Sequence, residues 1–559
     1  MQQVKQRPLA AMKDTMQENS NLSVLVIDPN PGMRSNLQNM LNASGINKIE
    51  YAVNSGTAIR QLTRRAYDIV LCEYDLGNGG NAGDGQDGQQ LLEDLRHHRL
   101  ISPWTIFIML TSEAVYGKVI GAAELAPTDY VLKPFTAETL GARVARAIER
   151  RAVFLPTWQL VAQGNVREAI RSAAAAEIVN TRHALDFARL RADLHVSIKE
   201  HGEAEQIYRK VLDYKPLGWA ALGLARAQFA QGRVEEARDT LQVLVAANPR
   251  LMAAYDLLAR CHEALGNAAQ AQKILEEAVA LSPHMVRRLR KLGEIALEAG
   301  DAAAAEKSFK QVVAKARYSE FRDPEDHLRL AQALVKRGDI LAASGVVRDL
   351  ERSMRAGPET QACVAVAKAA LHDAGGNRGA ALLDLQGAVA AVRASSGLST
   401  GLKLGLVRAC LDHRLDKGAQ DVMLSVVNDP DSGVTSGQAL ALFAEAGRRD
   451  LADGVQQQLK AQAQILLGVA DEKRNMGDVR GAVQTLLEAL HMAPSNLQVM
   501  IAVAGGVLRQ IAELGWDHPL GELCFAQLEK IRAVDAQHPR LQPLEDEYMA
   551  MRRKYGISG

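Results

Sequence analysis

The chain has 559 residues, which is too long for one hydrophobic core, so we expect two or more domains. Its 66 basic residues nearly balance its 65 acidic residues and leave a net charge of +1. This balance argues against binding to nucleic acid or to an anionic membrane through a strong overall field. The 5 cysteines lie far apart without metal-ligand spacing, so we expect small buried side chains in a reducing compartment.

Apolar stretches in the sequence indicate whether a protein is secreted or crosses a membrane. Residues 1–21 are polar and lack the apolar stretch of a signal peptide, so we expect a disordered leader. No run of about 18 apolar residues is evident, and the sequence therefore predicts no membrane span. These features together predict a cytoplasmic protein.

Residues 22–152 alternate between short apolar runs and helical patterns, which predicts one domain. The apolar runs predict strands at residues 24–27, 49–53, 68–72, 105–110 and 130–132. The helical patterns predict helices at residues 33–41, 57–66, 89–96, 115–124 and 137–151. Five repeated strand–helix units predict an α/β fold with a doubly wound, parallel, five-stranded sheet.

Polar side chains stand at the carboxyl ends of four of these strands: Asp28, Glu73, Thr111 and Lys133. In such a sheet the ligand site lies outside the carboxyl ends, where the strand order reverses. Two carboxylates could hold Mg²⁺ through oxygen ligands, and a hydroxyl and an ammonium could bind phosphoryl oxygens. Asp28 has a second interpretation, because it could instead cap the helix that follows Pro31.

Residues 24–28, 110–112 and 129–135 resemble the receiver domain of bacterial response regulators, and the last of these segments reads Asp-Tyr-Val-Leu-Lys-Pro-Phe. Asp87 and Gly88 resemble the start of the third helix of that family. The resemblance covers roughly residues 22–152. It implies a switch that takes a phosphoryl group from a histidine kinase.

The resemblance also implies roles for individual residues. Asp28 would be one of the paired acidic metal ligands, and Glu73 would stand at the phosphoacceptor position. Thr111 would be the hydroxyl that senses phosphate, Lys133 the lysine that contacts it, and Tyr130 the aromatic switch residue. The peptide bond between Lys133 and Pro134 is expected to be cis.

Three features depart from the family pattern. Glu73 replaces the usual Asp, and its carboxylate reaches about 1.5 Å further, whereas an error of about 1 Å in placement can cost ~10²-fold in rate. We therefore expect phosphorylation of Glu73 to be weak or absent, and Glu73 could instead partly imitate the phosphorylated state or be a solvated strand-end residue without chemistry. Pro29 replaces the second metal-binding acid, so Mg²⁺ should bind weakly. The loop at residues 76–86 is long and glycine-rich, and Asp75 or Asp84 could supply the missing acid.

From about residue 155 the pattern becomes helical and is punctuated by glycine. Several residues recur 34 positions later: Leu224, Ala225, Gly232, Ala237, Leu241 and Pro249 become Leu258, Ala259, Gly266, Ala271, Leu275 and Pro283. This period resembles the tetratricopeptide repeat. Looser copies follow, and Gly164 and Gly202 suggest two more upstream. We expect an all-α solenoid over residues 153–559, with about nine or ten helical pairs. Residues 406–427 and 439–459 look helical, but the register of 395–460 stays open.

A solenoid of this kind has no catalytic crevice, so we expect no enzyme, and its long face should bind a peptide or helix of a partner protein. The basic residues Arg287, Arg288, Arg290 and Lys291 are either a solvated helix face or the lining of a groove for an acidic partner. No basic recognition helix for DNA is evident.

The sequence as a whole predicts a cytoplasmic bacterial signalling adaptor of a phosphorelay, or two-component, system. In this interpretation a degenerate receiver controls protein binding by the repeat solenoid. The alternative is a constitutive assembly scaffold, in which the receiver is only a dimerisation or docking surface through its fourth and last helices.

Overall fold

The structure, a computed structural model, describes residues 20–77, 87–112, 127–282, 285–317, 322–395, 397–429 and 432–556. The chain forms two compact units, Met1–Ala333 and Leu334–Gly559. The predicted helix at 115–124, Asp84, Pro283 and nearly all of the predicted leader lie outside the described residues.

The first unit begins with a five-stranded sheet in the order β2-β1-β3-β4-β5. Its strands are β1 Ser23–Ile27, β2 Lys48–Ala52, β3 Ile69–Glu73, β4 Ile106–Ser112 and β5 Asp129–Lys133. Every neighbouring pair is parallel, which confirms the predicted doubly wound sheet. The strand order reverses between β1 and β3, so the site is expected beside the carboxyl ends of those strands.

The sheet is covered on both faces by helices. These are α1 Pro31–Ala43, α2 Ser55–Arg64, α3 Gly88–His97 and α4 Ala137–Ala162. The predicted end of α4 at residue 151 is wrong, because the helix continues past Pro156. The extension has an apolar reason: the Phe154 ring stacks on Phe187 with the ring centroids 4.2 Å apart, which joins α4 to the first repeats.

The helices that follow in the first unit are α5 Val166–Val179, α6 Ala184–Ser197, α7 His201–Tyr214, α8 Gly218–Ala230, α9 Val234–Ala247, α10 Met252–Ala264, α11 Ala268–Leu281, α12 Val286–Glu298 and α13 Ala302–Ala316. Helix α14, Pro324–Lys336, crosses into the second unit. The second unit contains α15 Ile340–Ser353, α16 Pro358–Ala374, α17 Arg378–Arg393, α18 Thr400–Asp412, α19 Asp416–Val427, α20 Ser436–Glu445, α21 Arg449–Asn475, α22 Val479–Met492, α23 Leu497–Leu514, α24 His518–Val534 and α25 Leu541–Lys554.

Within each of these helical pairs, the two helices are separated by a tight turn that contains one residue with a positive φ. In the described chain these residues are Gly164, Lys199, Gly232, Gly266, Gly300, Gly338, Gly376, Arg414, Gly447 and Gly477. Gly232 and Gly266 have φ of +79° and +77°, a region that glycine enters without steric cost. The predicted helical breaks at these two glycines are therefore confirmed.

Three places differ from a simple reading of the repeat pattern. Gly202 lies inside α7, and Lys199, with φ of +63°, takes the turn position instead. Residues 406–427 are not one helix, because Arg414 has φ of +53° and separates α18 from α19. Gly447 likewise interrupts residues 439–459 between α20 and α21.

Two groups of apolar side chains bear on the predictions from composition, namely the cysteines and one long helix. All five cysteines are free and buried, as predicted. Helix α23 is long and apolar enough to cross a membrane by length and composition, with a mean hydropathy of 1.4. Val503, Val507 and Ile511 of this helix lie in the core of the second unit.

Candidate phosphate site at the carboxyl ends of the strands

Asp28 follows β1 and is almost completely buried, with 1% of its surface exposed. Its Oδ1 accepts a hydrogen bond of 2.8 Å from the backbone N–H of Asn30. The side chain of Asn30, rather than that of Asp28, caps α1. The Asp28 Oδ2 is buried without a hydrogen-bond partner in the described part of the chain, and it lies 3.6 Å from the Lys133 Nζ.

Glu73 ends β3, and its carboxylate contacts the ammonium of Lys133 at the end of β5. The Glu73 side chain is 12% exposed, so it is not freely solvated. Its other oxygen, Oε1, accepts a hydrogen bond of 3.3 Å from the backbone N–H of Asp75. Lys133 therefore lies against both carboxylates, directly on Glu73 and at 3.6 Å from Asp28.

Thr111 and Tyr130 lie on the neighbouring strands β4 and β5. Thr111 is 1% exposed, and its Oγ1 donates a hydrogen bond of 3.4 Å to the carbonyl oxygen of Ser112. Tyr130 is half-buried, its hydroxyl oxygen is buried, and its ring packs against the core beneath α2 and α3. The tyrosine therefore has the inward orientation, away from solvent.

The start of α3 is fitted closely to the end of β3. Asp87 caps the helix in a reciprocal arrangement with Gln90, at 2.7 Å and 3.2 Å. A Cβ on Gly88 would lie 2.5 Å from the carbonyl oxygen of Glu73 and 2.9 Å from the sulfur of Met109. Only glycine allows this approach, so Gly88 permits the close packing of α3 against the end of β3.

The acidic residues at this site are fewer than the family pattern implies. Pro29 is exposed and offers no carboxylate. The Asp75 Oδ1 accepts a hydrogen bond of 3.0 Å from Gly77 N–H, so this carboxylate closes its own loop. Among the described residues no group of three or more His, Cys, Asp or Glu could hold a metal ion. Two carboxylates, Asp28 and Glu73, are left to face a cation.

The contacts that fix helix α4 to the sheet were not predicted from the sequence. Arg151 of α4 pairs with Asp68 at 2.7 Å, and Ser23 donates two hydrogen bonds of 2.9 Å to the same carboxylate. Burial opposes ionisation of Asp68, but the hydrogen bonds from Ser23 and the charge of Arg151 outweigh it and lower the pKa of this carboxyl. These contacts could have been expected only if the continuation of the helix beyond residue 151 had been recognised.

The basic residues singled out at the start of α12 are mostly paired within the chain. Arg288 binds Asp256 through two contacts of 2.8 Å and 2.9 Å, and its side chain is 0% exposed. Arg290 binds Asp326 at 2.6 Å. The interpretation as a solvated face is therefore wrong for Arg288. The signal for these pairs is a spacing of 32 and 36 residues, close to one repeat.

Two parts of the chain are similar to known protein families. Residues 24–145 match the family model of the response regulator receiver domain, and residues 158–218, 199–261 and 262–323 match models of the tetratricopeptide repeat. The chain is 29% identical over 132 residues to the chemotaxis protein CheY-3 of Vibrio cholerae, a match that covers 24% of this chain and 95% of that protein. It is 26% identical over 129 residues to the chemotaxis protein CheY of Pseudomonas aeruginosa, covering 23% and 98%.

Solved structures are similar over the repeats at low scores. A tetratricopeptide repeat protein from Parabacteroides merdae is 16% identical with a TM-score of 0.32, covering 46% of this chain and 97% of that one. The pilF protein of Pseudomonas aeruginosa is 17% identical with a TM-score of 0.31, covering 39% and 97%. On the strength of the family models, the chain carries a response regulator receiver domain followed by tetratricopeptide repeats.

Proposed function

We propose that this protein is a signalling adaptor of a bacterial phosphorelay system, in which a degenerate receiver stays near one state and controls protein binding by the repeat solenoid. A receiver joined to repeats supports a response-regulator-like signalling or adaptor protein. The single observation that carries the finer proposal is the contact between Glu73 and Lys133.

An aspartate at position 73 would make this contact with Lys133 less directly. An aspartate carboxylate would end about 1.5 Å earlier, roughly one C–C bond. The extra methylene of Glu73 brings its negative charge onto the lysine that, in this proposal, contacts a phosphoryl group. The buried hydroxyl of Tyr130 is consistent with the same proposal. A switch residue can point inward or outward, and Tyr130 points inward, as expected for a receiver held near one of its two states.

Magnesium has a reduced part in this proposal. Asp28 and Glu73 are the residues that would hold Mg²⁺, and the unpaired Asp28 Oδ2 is a fitting oxygen ligand. A bound Mg²⁺ would neutralise charge on phosphoryl oxygens. With Lys133 already against both carboxylates, the cation must compete with an ammonium, so we expect weak binding.

The partners follow from the repeats. Tetratricopeptide repeats generally mediate protein–protein interactions, and this architecture suits a non-enzymatic adaptor. We propose a partner protein or peptide held by the solenoid, a histidine kinase as an upstream contact, and the cytoplasm as the location. The five free cysteines support a reducing compartment.

The test is intact-mass spectrometry of the full-length protein after incubation with acetyl phosphate and Mg²⁺. The proposal expects the mass to stay unchanged. Stoichiometric addition of one phosphoryl group, mapped to Glu73, would refute it.

A second function, a constitutive scaffold, is favoured by one observation. Helix α4 is continuous from Ala137 to Ala162, and the Arg151–Asp68 ion pair ties it to the sheet, so the receiver is fixed to the first repeats. In a scaffold the receiver would serve as a docking or dimerisation surface only. Glu73→Ala separates the two, because it should leave partner binding by the solenoid unchanged in a scaffold and alter it in a switch.

A further inference from the structure

A pocket of about 530 Å³ is lined mainly by α8, α10 and α12, the first helices of three successive pairs, with one residue from α11. Its apolar lining includes Phe229, Leu257, Leu275 and Met285. Its charged lining is basic in excess, with Arg226, Arg260, Arg287, Arg288 and Lys291 against Asp256 and Glu263. The pocket therefore offers both apolar surface and positive charge to a ligand.

Part of this charge is neutralised inside the chain. Arg288 is held by Asp256 at 2.8 Å, and Lys291 is held by Glu263 at 2.7 Å. These two pairs use both acidic residues of the lining. Three arginines of the lining are left for other contacts.

Two of them, Arg226 and Arg260, have no carboxylate within ion-pair distance in the part of the chain that the structure describes. They stand 34 residues apart, each six positions before the turn glycine of its pair, so they occupy the same place on successive repeats. Arg260 lies over the Phe229 ring, 5.1 Å from its centroid, which keeps its charged head at the pocket wall.

Arg226 is in an unfavourable electrostatic position. Burial lowers its pKa, and the charges of Arg189 and Arg260 lower it further, although Tyr208 and Asp193 raise it. An incoming anion would offset the repulsion between these neighbouring cations.

The third arginine, Arg287, contacts helix α3 of the receiver, so the receiver lies next to the pocket. Arg287 lies 3.1 Å from the His97 ring nitrogen and donates to the carbonyl oxygen of Glu93 at 3.5 Å, both on α3. The carboxylate of Glu93 also interacts electrostatically with Arg287 and Arg288. An acidic side chain of the receiver thus already lies beside the basic pocket.

We infer that this pocket binds an acidic segment of a partner protein, whose carboxylates pair with Arg226 and Arg260 next to helix α3 of the receiver. The inference deepens the proposed function and rests on the solenoid binding a partner. The complementary occupant carries carboxylates on an extended or helical segment, with apolar side chains for the wall around Phe229. Because α3 borders the pocket, occupancy and the position of the receiver are coupled.

The test is a titration of the full-length protein with fluorescein-labelled oligoglutamate, followed by fluorescence anisotropy. We expect saturable binding that weakens as salt is added. The double variant Arg226→Gln/Arg260→Gln should weaken it by about tenfold, because two charge pairs with the peptide are lost. The control Arg171→Gln/Arg348→Gln removes the same charge from exposed positions and should bind like the wild type.

A charge reversal guards against misfolding as an explanation. Arg226→Glu/Arg260→Glu should lose oligoglutamate and gain oligolysine, while its circular dichroism melt stays close to that of the wild type. Equal oligoglutamate binding by the glutamine variant and its control would overturn the inference. The inference would also be overturned by a wild-type protein that does not bind oligoglutamate but still retains a partner protein when it is used as bait. A full-length bait that retains neither oligoglutamate nor a partner protein would refute partner binding itself.

Discussion

The carboxylate of Glu73 and the ammonium of Lys133 are in direct contact, although 60 positions separate them in the sequence. Parallel strands with a helical crossover bring the two residues together, because β3 and β5 both end at the same side of the sheet. The pair joins the residue that we propose stands at the phosphoacceptor position to the lysine that we propose contacts a phosphoryl group.

Restoring the family's acids should restore phosphoryl uptake. Glu73→Asp shortens the acceptor by one methylene and frees Lys133, and Pro29→Asp returns the second metal-binding acid beside Asp28. We expect the double variant Glu73→Asp/Pro29→Asp to gain one phosphoryl group from acetyl phosphate and Mg²⁺ in intact-mass measurements. Pro29→Asp alone is the control and should gain none. Labelling of the control to the same extent would show that the length of Glu73 is no obstacle.

Removing the lysine should destabilise the receiver. Lys133→Met leaves two carboxylates, on Asp28 and Glu73, without their shared cation, and we expect a loss of about 1–3 kcal/mol in the free energy of unfolding by urea. Lys307→Met, at an exposed position of α13, should cost less than about 0.5 kcal/mol. In a double-mutant cycle, Glu73→Gln should cost less in the Lys133→Met background than alone. Strict additivity would mean that the contact contributes nothing.

Gly88 offers a steric test of the close fit between α3 and β3. Gly88→Ala would place a Cβ 2.5 Å from the carbonyl oxygen of Glu73, so a backbone shift is forced. We expect a loss of about 1–3 kcal/mol, measured by urea denaturation. The matched control is Gly202→Ala in α7, where no atom lies within 4 Å of the added carbon and stability should stay the same or rise slightly. Equal stability of the two variants would contradict the described packing.

Glu93 should make stability depend on pH near neutrality. Burial raises the pKa of its carboxyl from 4.5 to about 7, with Asp87 adding to the rise and Gln89 and Arg287 opposing it. Between these two values the folded chain binds a proton that the unfolded chain has lost, so stability falls as pH rises. Glu93→Gln should remove this slope and gain up to about 3 kcal/mol at pH 8.

The pH experiment has a matched control in Glu277→Gln, at an exposed position on α11. Thermal melts from pH 4 to 8 should show an unchanged slope for this variant. A Glu93→Gln protein that keeps the full pH dependence of the wild type would mean that Glu93 is ionised without cost in the fold.

The strands could be predicted because each is a short apolar run, and a parallel sheet gathers the residues after them at one side. The proximity of Asp28, Glu73 and Lys133 could be predicted in this way, and their roles stay a proposal. The sequence left open whether α4 runs directly into the first repeat, because Pro156 inside a helix normally marks its end. The turn at Arg414 could not be predicted, because packing there holds an ordinary residue in a conformation that glycine prefers.

The charged pairs between repeats were missed for a different reason. Arg288 and Asp256 are 32 residues apart and meet because equivalent helices of consecutive repeats are neighbours. Their pairing requires the repeat register to be known before the charges are read. With the register in hand, opposite charges about one repeat apart are a usable signal.

The most direct test of a receiver held near one state is amide hydrogen exchange of the segments Asp129–Lys133 and Gly88–His97, before and after acetyl phosphate and Mg²⁺. The account predicts that exchange in the wild type stays the same, whereas the Glu73→Asp/Pro29→Asp variant changes in both segments. A wild type whose exchange changes as much as that of the variant would contradict it.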